Sequence, residues 1–146
     1  MVLTIKDVED GTLATLQAAT NLTDVCKTVD AYGGELDKLV AQVEALTVNM
    51  PAVYVLYAGS DFAGSRSSWD DNMTISVVVV AKDLRGRKSA RVGVYEILEI
   101  LKDELIDNDL GLDIEPLSPV KIMPVLTSDK FSVYLFALKT FFSISS

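Results

Sequence analysis

The longest regular pattern of apolar and polar positions runs from Leu84 to Leu117 and predicts an amphipathic helix with a sharp end. Apolar residues recur there every three or four positions, which places them on one broad face of a helix laid over a core. The helix is predicted to begin in the turn at Gly86–Lys88 and to end before Asn108, Gly111 and Pro116. The predicted core face consists of Ala90, Val94, Ile97, Leu98, Ile100, Leu101 and Leu105.

The same helix carries a second, narrower apolar stripe on its far side, formed by Val92, Tyr95 and Ile106. Charged residues, among them Arg91 and Glu96, separate this stripe from the core face. An apolar stripe on each side of a helix indicates that the helix has two neighbours.

The segment before residue 50 predicts two further helices and one short strand. Thr4 is typical of a helix N-cap, and apolar residues continue from it at helical spacing as far as Thr20–Asn21. A rough alternation over Val25–Tyr32 predicts a peripheral strand that ends at Gly33–Gly34. Helical spacing then returns and predicts a second helix over Leu36–Leu46.

The remaining segments predict strands. A β-branched and aromatic run opens at Pro51 and closes at Gly59, and the polar, glycine-bearing stretch from Gly59 to Asp71 predicts an exposed loop. Met73–Lys82 is apolar on both faces, which indicates a covered strand. Val120–Leu126 and Phe131–Ser143 predict a closing hairpin.

The order α-β-α-β-β-α-β-β predicts a single α+β domain over residues 1–146, with an antiparallel-rich mixed sheet and helices packed mainly on one face. Two strands, Met73–Lys82 and Phe131–Ser143, nevertheless have apolar residues on both faces and require cover on both. Loops folding over the second face would provide it, and so would self-association through sheet and helix surfaces, which we favour.

Composition removes several classes of function. Thirteen Lys and Arg against 21 Asp and Glu give a net charge of −8, which argues against binding nucleic acid by phosphate neutralisation. The chain has no His and a single Cys, Cys26, so Ser-His-Asp triads, Cys-His pairs and structural zinc sites are excluded. With no signal-peptide pattern and no apolar run of membrane-spanning length, a soluble, cytoplasmic protein is expected.

Motifs that could carry chemistry are incomplete. Gly59–Ser65 has the glycine spacing of a phosphate-binding loop but lacks its lysine. The helix carboxylates Glu96 and Glu99 are spaced like a solvated face, and Asp70-Asp71-Asn72 does not follow the spacing of a calcium-binding loop. Cys26 is interpreted as a small, half-buried strand residue. The sequence therefore predicts no catalysis, no cofactor and no metal.

Several segments in order resemble a known family: MPAVYVLYAG from Met50, LRGRKSARVGVYEILEIL from Leu84, LGLDIEPL from Leu110, and a last strand with SVY from Ser132. From about Met50 to the C-terminus the chain is similar to the small tail-protein family of Mu-like phages and prophages, which is grouped with the tail-terminator proteins. The resemblance implies a homo-oligomeric ring, a hexamer, that caps the head-proximal end of the tail tube. It also implies that the ring ends tube polymerisation and offers a joining surface to the head connector.

On that resemblance, the expected partners are further copies of the chain, the tail tube protein, and the sheath and connector proteins. The expected location is the virion tail, assembled in the host cytoplasm, with DNA passing through the ring without sequence-specific contact. We expect subunit contacts at Val92, Tyr95 and Ile106, and a tube or connector contact at Phe62, Arg66 and Trp69. The alternative is a non-catalytic adaptor that acts as a monomer or dimer with one protein partner.

Overall fold

The computed structural model, which describes residues 3–32, 38, 41, 50–82, 87–127 and 131–145, is built on one five-stranded sheet. The strand order is β1-β2-β3-β5-β4, with β1 parallel to β2 and every other pair antiparallel. This confirms the predicted antiparallel-rich mixed sheet. The strands are β1 (Thr28–Ala31), β2 (Ala52–Ser65), β3 (Ser68–Lys82), β4 (Ser118–Thr127) and β5 (Phe131–Ser145).

The N-terminal helix begins where the sequence predicted. The Thr4 hydroxyl accepts a hydrogen bond from the amide of Asp7 at 3.1 Å, and the Asp7 carboxylate accepts one from the amide of Thr4 at 2.9 Å. This reciprocal capping box satisfies two amides that the first helical turn leaves without intrahelical partners. Helix α1 spans Ile5–Ala18 and a short helix α2 spans Thr20–Thr23, so the predicted single helix is interrupted at Ala19. The helix predicted over Leu36–Leu46 lies outside the described residues, apart from two helical positions.

The long helix, α3, spans Arg87–Leu105 and ends at the predicted stop signals. Asn108 closes it: the side-chain amide donates to the carbonyl of Glu104 at 2.9 Å, and the side-chain oxygen accepts from the amide of Leu110 at 2.7 Å. Gly111 follows with φ of 73°, a conformation that glycine adopts without steric cost. These bonds satisfy polar groups at the helix end and turn the chain towards β4.

The helices and one face of the sheet enclose the main core. From α3 the core takes Val94, Ile97, Leu98, Leu101 and Leu105, which confirms the predicted core face for these residues. The opposite face of the sheet carries a second buried cluster, so β3 and β5 are buried on both faces, as their sequences predicted. The second cluster consists of Met50, Ala52, Tyr54, Leu56, Val78, Val80, Phe131, Val133, Leu135 and Ala137.

The exposed loop predicted over Gly59–Asp71 is wrong. β2 continues to Ser65 and β3 begins at Ser68, so this stretch forms the tip of a long hairpin that turns at residues 66–67. Every residue of β3 from Ser68 onwards also pairs with β5, which holds the stretch in the sheet. Residues 61–69 of this stretch are exposed, so small and polar residues persist there and alternation gives no signal.

Cys26 lies two residues before β1 and is buried. Burial raises the pKa of its thiol from an ordinary value of 9.0 to about 11.

At pH 8 we therefore expect about one molecule in a thousand to carry the Cys26 thiolate. Ellman's reagent should react with the native protein far more slowly than with protein unfolded in guanidinium chloride. The same shift makes folding less favourable as the pH rises from about 9 to 11, because only the unfolded thiol ionises there. Equal rates in the native and denatured states would contradict this prediction.

Candidate assembly surfaces

Three strands extend from the main core as an arm, which we define as Gly59–Ser65 of β2, Ser68–Asn72 of β3 and Phe141–Ser145 of β5. At the base of the arm Phe142 still packs in the main core. The arm starts at an irregularity in the β2–β3 register between Tyr57 and Gly59. β4 does not extend beside it, because the β4–β5 pairing starts at Ser118 and Lys139. The arm therefore has two open strand edges among the described residues, which are places where another chain can pair.

The arm is joined to the body through Glu115. The amide of Glu115 donates to the carbonyl of Phe141 at 2.9 Å, and the hydroxyl of Thr140 donates to the carbonyl of Glu115. A cleft of about 570 Å³ lies beside this junction, between residues 111–115 and the end of β5. The junction holds the base of the arm against the body while its tip stays uncovered.

One face of the arm carries an apolar patch, the arm patch, formed by Phe62, Trp69 and Ile144. Their side chains are 60 %, 42 % and 39 % exposed and line a shallow hollow of about 390 Å³. Trp69 and Ile144 are directly opposite each other on β3 and β5. The structure thus brings together two of the three predicted contact residues, Phe62 and Trp69. The third, Arg66, is exposed at the turn of the hairpin.

Asp71 lies between aromatic residues on the same face of the arm. It is directly opposite Phe62 on β2 and Phe142 on β5, and only 4 % of its surface is exposed. Its Oδ1 atom is buried and has no hydrogen-bond partner among the described residues. A buried carboxylate oxygen without a donor is costly, and native proteins rarely retain one.

The neighbours of Asp71 in the sequence point to the opposite face, because side chains alternate along a strand. There the hydroxyl of Ser143 donates to a carboxylate oxygen of Asp70 at 2.9 Å. Asp70, Asp71 and Asn72 therefore do not converge on one point. Within the part of the chain that the structure describes, no group of three or more His, Cys, Asp and Glu residues is placed to hold a metal ion.

A second exposed apolar surface, the edge surface, lies where α3 meets the outer strands. Tyr95 on α3 is 50 % exposed and packs edge-on against Tyr134 of β5, with ring centroids 6.1 Å apart and an interplanar angle of 86°. Tyr134 is directly opposite Pro124 of β4. Ile122, which is 41 % exposed, lies two residues before Pro124 and on the same face of β4. We define the edge surface as Tyr95, Tyr134, Pro124 and Ile122.

The other two residues of the predicted helix stripe lie elsewhere. Ile106 follows the last residue of α3 and packs, partly buried, against the main core. The backbone of Val92 belongs to α3, and its side chain lies outside the described part. Of the three stripe residues, Tyr95 is therefore the one that the structure places on an exposed apolar surface.

The strand β4 was predicted from the sequence, but its exposed apolar residues were not predicted as an assembly surface. Among the strands that the structure describes, β4 is at the edge of the sheet and pairs with β5 alone, and Val120, Ile122 and Met123 are all more than a third exposed. Pro124 gave the available signal, because it lies within the predicted strand Val120–Leu126 and a proline there indicates an edge strand. An exposed apolar edge strand is a place for assembly.

Comparisons with known proteins identify a family and a similar fold. The model of the family described as "Bacteriophage Mu, Gp37" matches residues 4–144. Among solved structures, a chain of "Virion of native gene transfer agent (GTA) particle" has a similar fold, with a TM-score of 0.62 over 91 % of this chain and 92 % of that chain, at 12 % identity. No curated protein sequence matches the chain. None of the helices described here combines the length and apolarity needed to cross a bilayer.

Proposed function

The chain belongs to the Bacteriophage Mu Gp37 family, and on that premise we propose that it forms a ring that caps the head-proximal end of a phage tail tube. Family and fold support the coarser statement that this is a structural protein of a phage particle. In the finer proposal the ring is a homo-hexamer that ends tube polymerisation and joins the tail to the head. Its partners are other copies of the chain, the tube protein, and the sheath and connector proteins.

The observation that carries the proposal is that the chain has two different exposed apolar surfaces far apart. Ile122 of the edge surface is opposite Phe136 on β5, whereas Ile144 of the arm patch is eight residues further along that strand. At about 3.3 Å per residue the two surfaces are roughly 26 Å apart. A ring requires head-to-tail contacts between unlike patches, so a subunit must carry at least two of them.

Charge is compatible with a ring through which DNA passes. The net charge of −8 supplies no overall attraction for phosphate. We assign the subunit contact to the helix stripe, with Tyr95 as its exposed member, and the tube or connector contact to Phe62, Arg66 and Trp69 on the arm. We place the assembled ring in the virion tail.

Tyr95→Asp is expected to disassemble the ring. A buried interface tyrosine contributes about 2 kcal/mol or more, which corresponds to roughly a thirtyfold weakening of the contact. The aspartate carboxylate that replaces the phenol side chain adds the cost of desolvating a charge. The measurement is molar mass by light scattering at micromolar concentration, together with six-fold averages in negative-stain images of the wild type.

Tyr95→Phe is the matched control, because it keeps the edge-on contact with Tyr134 and should keep the oligomer mass. An unchanged mass in Tyr95→Asp would show that the helix surface is local packing. A wild type that is a monomer or dimer at all concentrations would favour the adaptor function instead.

A further inference from the structure

Asp71 carries the only buried side-chain oxygen or nitrogen that has no hydrogen-bond partner among the residues that the structure describes. Its side chain is on the face of the arm that carries the arm patch, because Asp71 is directly opposite Phe62 and two residues from Trp69 on β3. A carboxylate oxygen that leaves water without gaining a donor lowers the stability of the fold. Such an oxygen therefore indicates a donor that arrives with another molecule.

The described part of the chain supplies no donor on this face. Phe142, directly opposite Asp71 on β5, and Met73, two residues further along β3, are both buried in the main core. A bound water molecule needs about two to four polar partners, and these neighbours are apolar. Arg66 lies at the turn of the hairpin, five residues from Asp71, which at about 3.3 Å per residue is roughly 16 Å and beyond the reach of a side chain.

The carboxylate of Asp71 is accessible from the arm patch. Of the two residues directly opposite Asp71, Phe142 packs in the main core, whereas Phe62 is mostly exposed. A rotation of the Phe62 side chain opens the way from the shallow hollow of the arm patch, which Trp69 and Ile144 also line. A side chain that enters the hollow thus meets aromatic rings first and the carboxylate behind them.

The surroundings of the hollow are acidic. The cleft between residues 111–115 and the end of β5 lies beside it, since Ile144 lines both. An excess of carboxylates over cations attracts a positively charged group and repels an anion. The charged residues of the hairpin 59–72, of residues 111–115 and of residues 141–145 are five carboxylates, Asp61, Asp70, Asp71, Asp113 and Glu115, and one cation, Arg66.

We propose that Asp71 anchors the arm contact by accepting hydrogen bonds from the guanidinium group of an arginine on the tail tube protein. This inference rests on the proposed function and names the chemistry of the partner at that same site. The planar guanidinium donates to a carboxylate and stacks on aromatic rings such as those of Phe62 and Trp69. The ammonium group of a lysine is more strongly hydrated and therefore loses more on entering an apolar hollow.

The first test measures binding at Asp71 in the full-length wild type, with N-acetyl-arginine amide as the probe. Trp69 is the single tryptophan and lies two residues from Asp71, so its fluorescence reports on the site. We expect a saturable change with this probe. N-acetyl-citrulline amide, which has a similar shape without the charge, should bind about tenfold more weakly or worse, because charge-assisted hydrogen bonds are the stronger ones.

Asp71→Asn should lose the preference for the arginine compound, and Asp70→Asn is the matched control. Both substitutions remove one negative charge, but Asp70 is on the opposite face of the arm, where an asparagine still accepts from Ser143. No saturable change in the wild type, equal binding of the two compounds, or an unchanged preference in Asp71→Asn would each overturn the proposal. N-acetyl-lysine amide that binds as tightly as the arginine compound would overturn the choice of guanidinium.

The second test is the length of tails assembled with the tube protein, measured by electron microscopy. Asp71→Asn is expected to give tails of undefined length, and Asp70→Asn tails of normal length. Normal length in both variants would show that this inference is wrong while the proposed function stands. Tails of normal length that lack heads in Asp71→Asn would assign the arm to the connector and overturn the choice of the tube protein. A wild type that forms no ring would instead contradict the proposed function, and the arginine titration would still test the site at Asp71.

Asp71→Leu separates a docking role of Asp71 from a structural one. Because it removes a buried carboxylate without a donor, the midpoint of thermal unfolding should rise by about 3–10 °C while control of tail length is lost. Asp71→Asn, which keeps the size of the side chain, decides the matter should leucine be too large for the site. A clear fall in the midpoint of both variants would show that Asp71 serves the fold, and would overturn the proposal.

Discussion

Phe136→Ala is expected to lower the free energy of unfolding by about 3–5 kcal/mol, the usual cost of replacing a buried aromatic side chain by a methyl group. Phe136 is only 1 % exposed, lies on the helix-covered face of β5, and is among the largest fully buried side chains of the chain. It is opposite Val77 on β3 and Ile122 on β4. Its loss therefore leaves a cavity between the inner strands and the edge strand.

The measurement is thermal or urea unfolding followed by circular dichroism. For a chain of this size each kcal/mol shifts the midpoint by about 3–4 °C, so the expected fall is about 10–20 °C. Phe141→Ala is the matched control, because Phe141 lies on the same strand but is 44 % exposed. A control that loses as much stability as Phe136→Ala would show that burial on the helix face is not the cause.

The parts of the fold that could be predicted are those where a layer covers the chain. The core residues of α3 follow one another at helical spacing because the sheet lies beneath them, and the pattern therefore located them correctly. β3 was predicted to be covered on both faces, and Val77 and Val78 are indeed buried on opposite faces. Turn chemistry located the C-terminal end of α3, because asparagine and glycine act locally there, at Asn108 and Gly111.

The arm could not be predicted, because its strands are specified by pairing and not by burial. Asp61 and Asn72 are directly opposite each other, yet both are exposed, so no alternation marks them as strand residues. The pairing with β5 joins Asp70 to Ser143, residues 73 positions apart, and such a contact leaves no local trace in the sequence.

The residues of the candidate surfaces could likewise be located from the sequence only in part. Tyr95 was placed correctly on an exposed side of α3 because a helix has a fixed angular period. Ile106 has a similar angular position, but the helix ends at Leu105 and the chain turns, which places Ile106 against the core. Asp71 gave no signal, because a carboxylate in a polar stretch looks like a solvated one until its strand neighbours are known.

Gly64→Ala is expected to disrupt the tip of the arm and with it the docking role of the arm. Gly64 has φ of 132°, which residues with a side chain rarely adopt, and a Cβ there would lie 2.3 Å from the carbonyl oxygen of Ser68. That oxygen belongs to the backbone of the paired strand and cannot move without opening the hairpin. Since Gly64 is directly opposite Trp69, the strain falls on the residue that anchors the arm patch.

Gly59→Ala is the matched control, because Gly59 has a similar φ of 123° but no heavy atom within 4 Å of the added Cβ. It carries only the torsional cost, about 1–3 kcal/mol. Trp69 is the single tryptophan of the chain, so its fluorescence and near-ultraviolet circular dichroism report on the tip directly. In Gly64→Ala we expect a red-shifted emission and a failure to form tails of defined length, while the core unfolds within about 5 °C of the wild type. In Gly59→Ala the tryptophan signal should persist.

If both variants change the tryptophan signal equally, backbone torsion at the arm, and not the clash with Ser68, controls the structure of the arm. If Gly64→Ala alters the tryptophan signal and tails of normal length still form, the tip of the arm has no docking role.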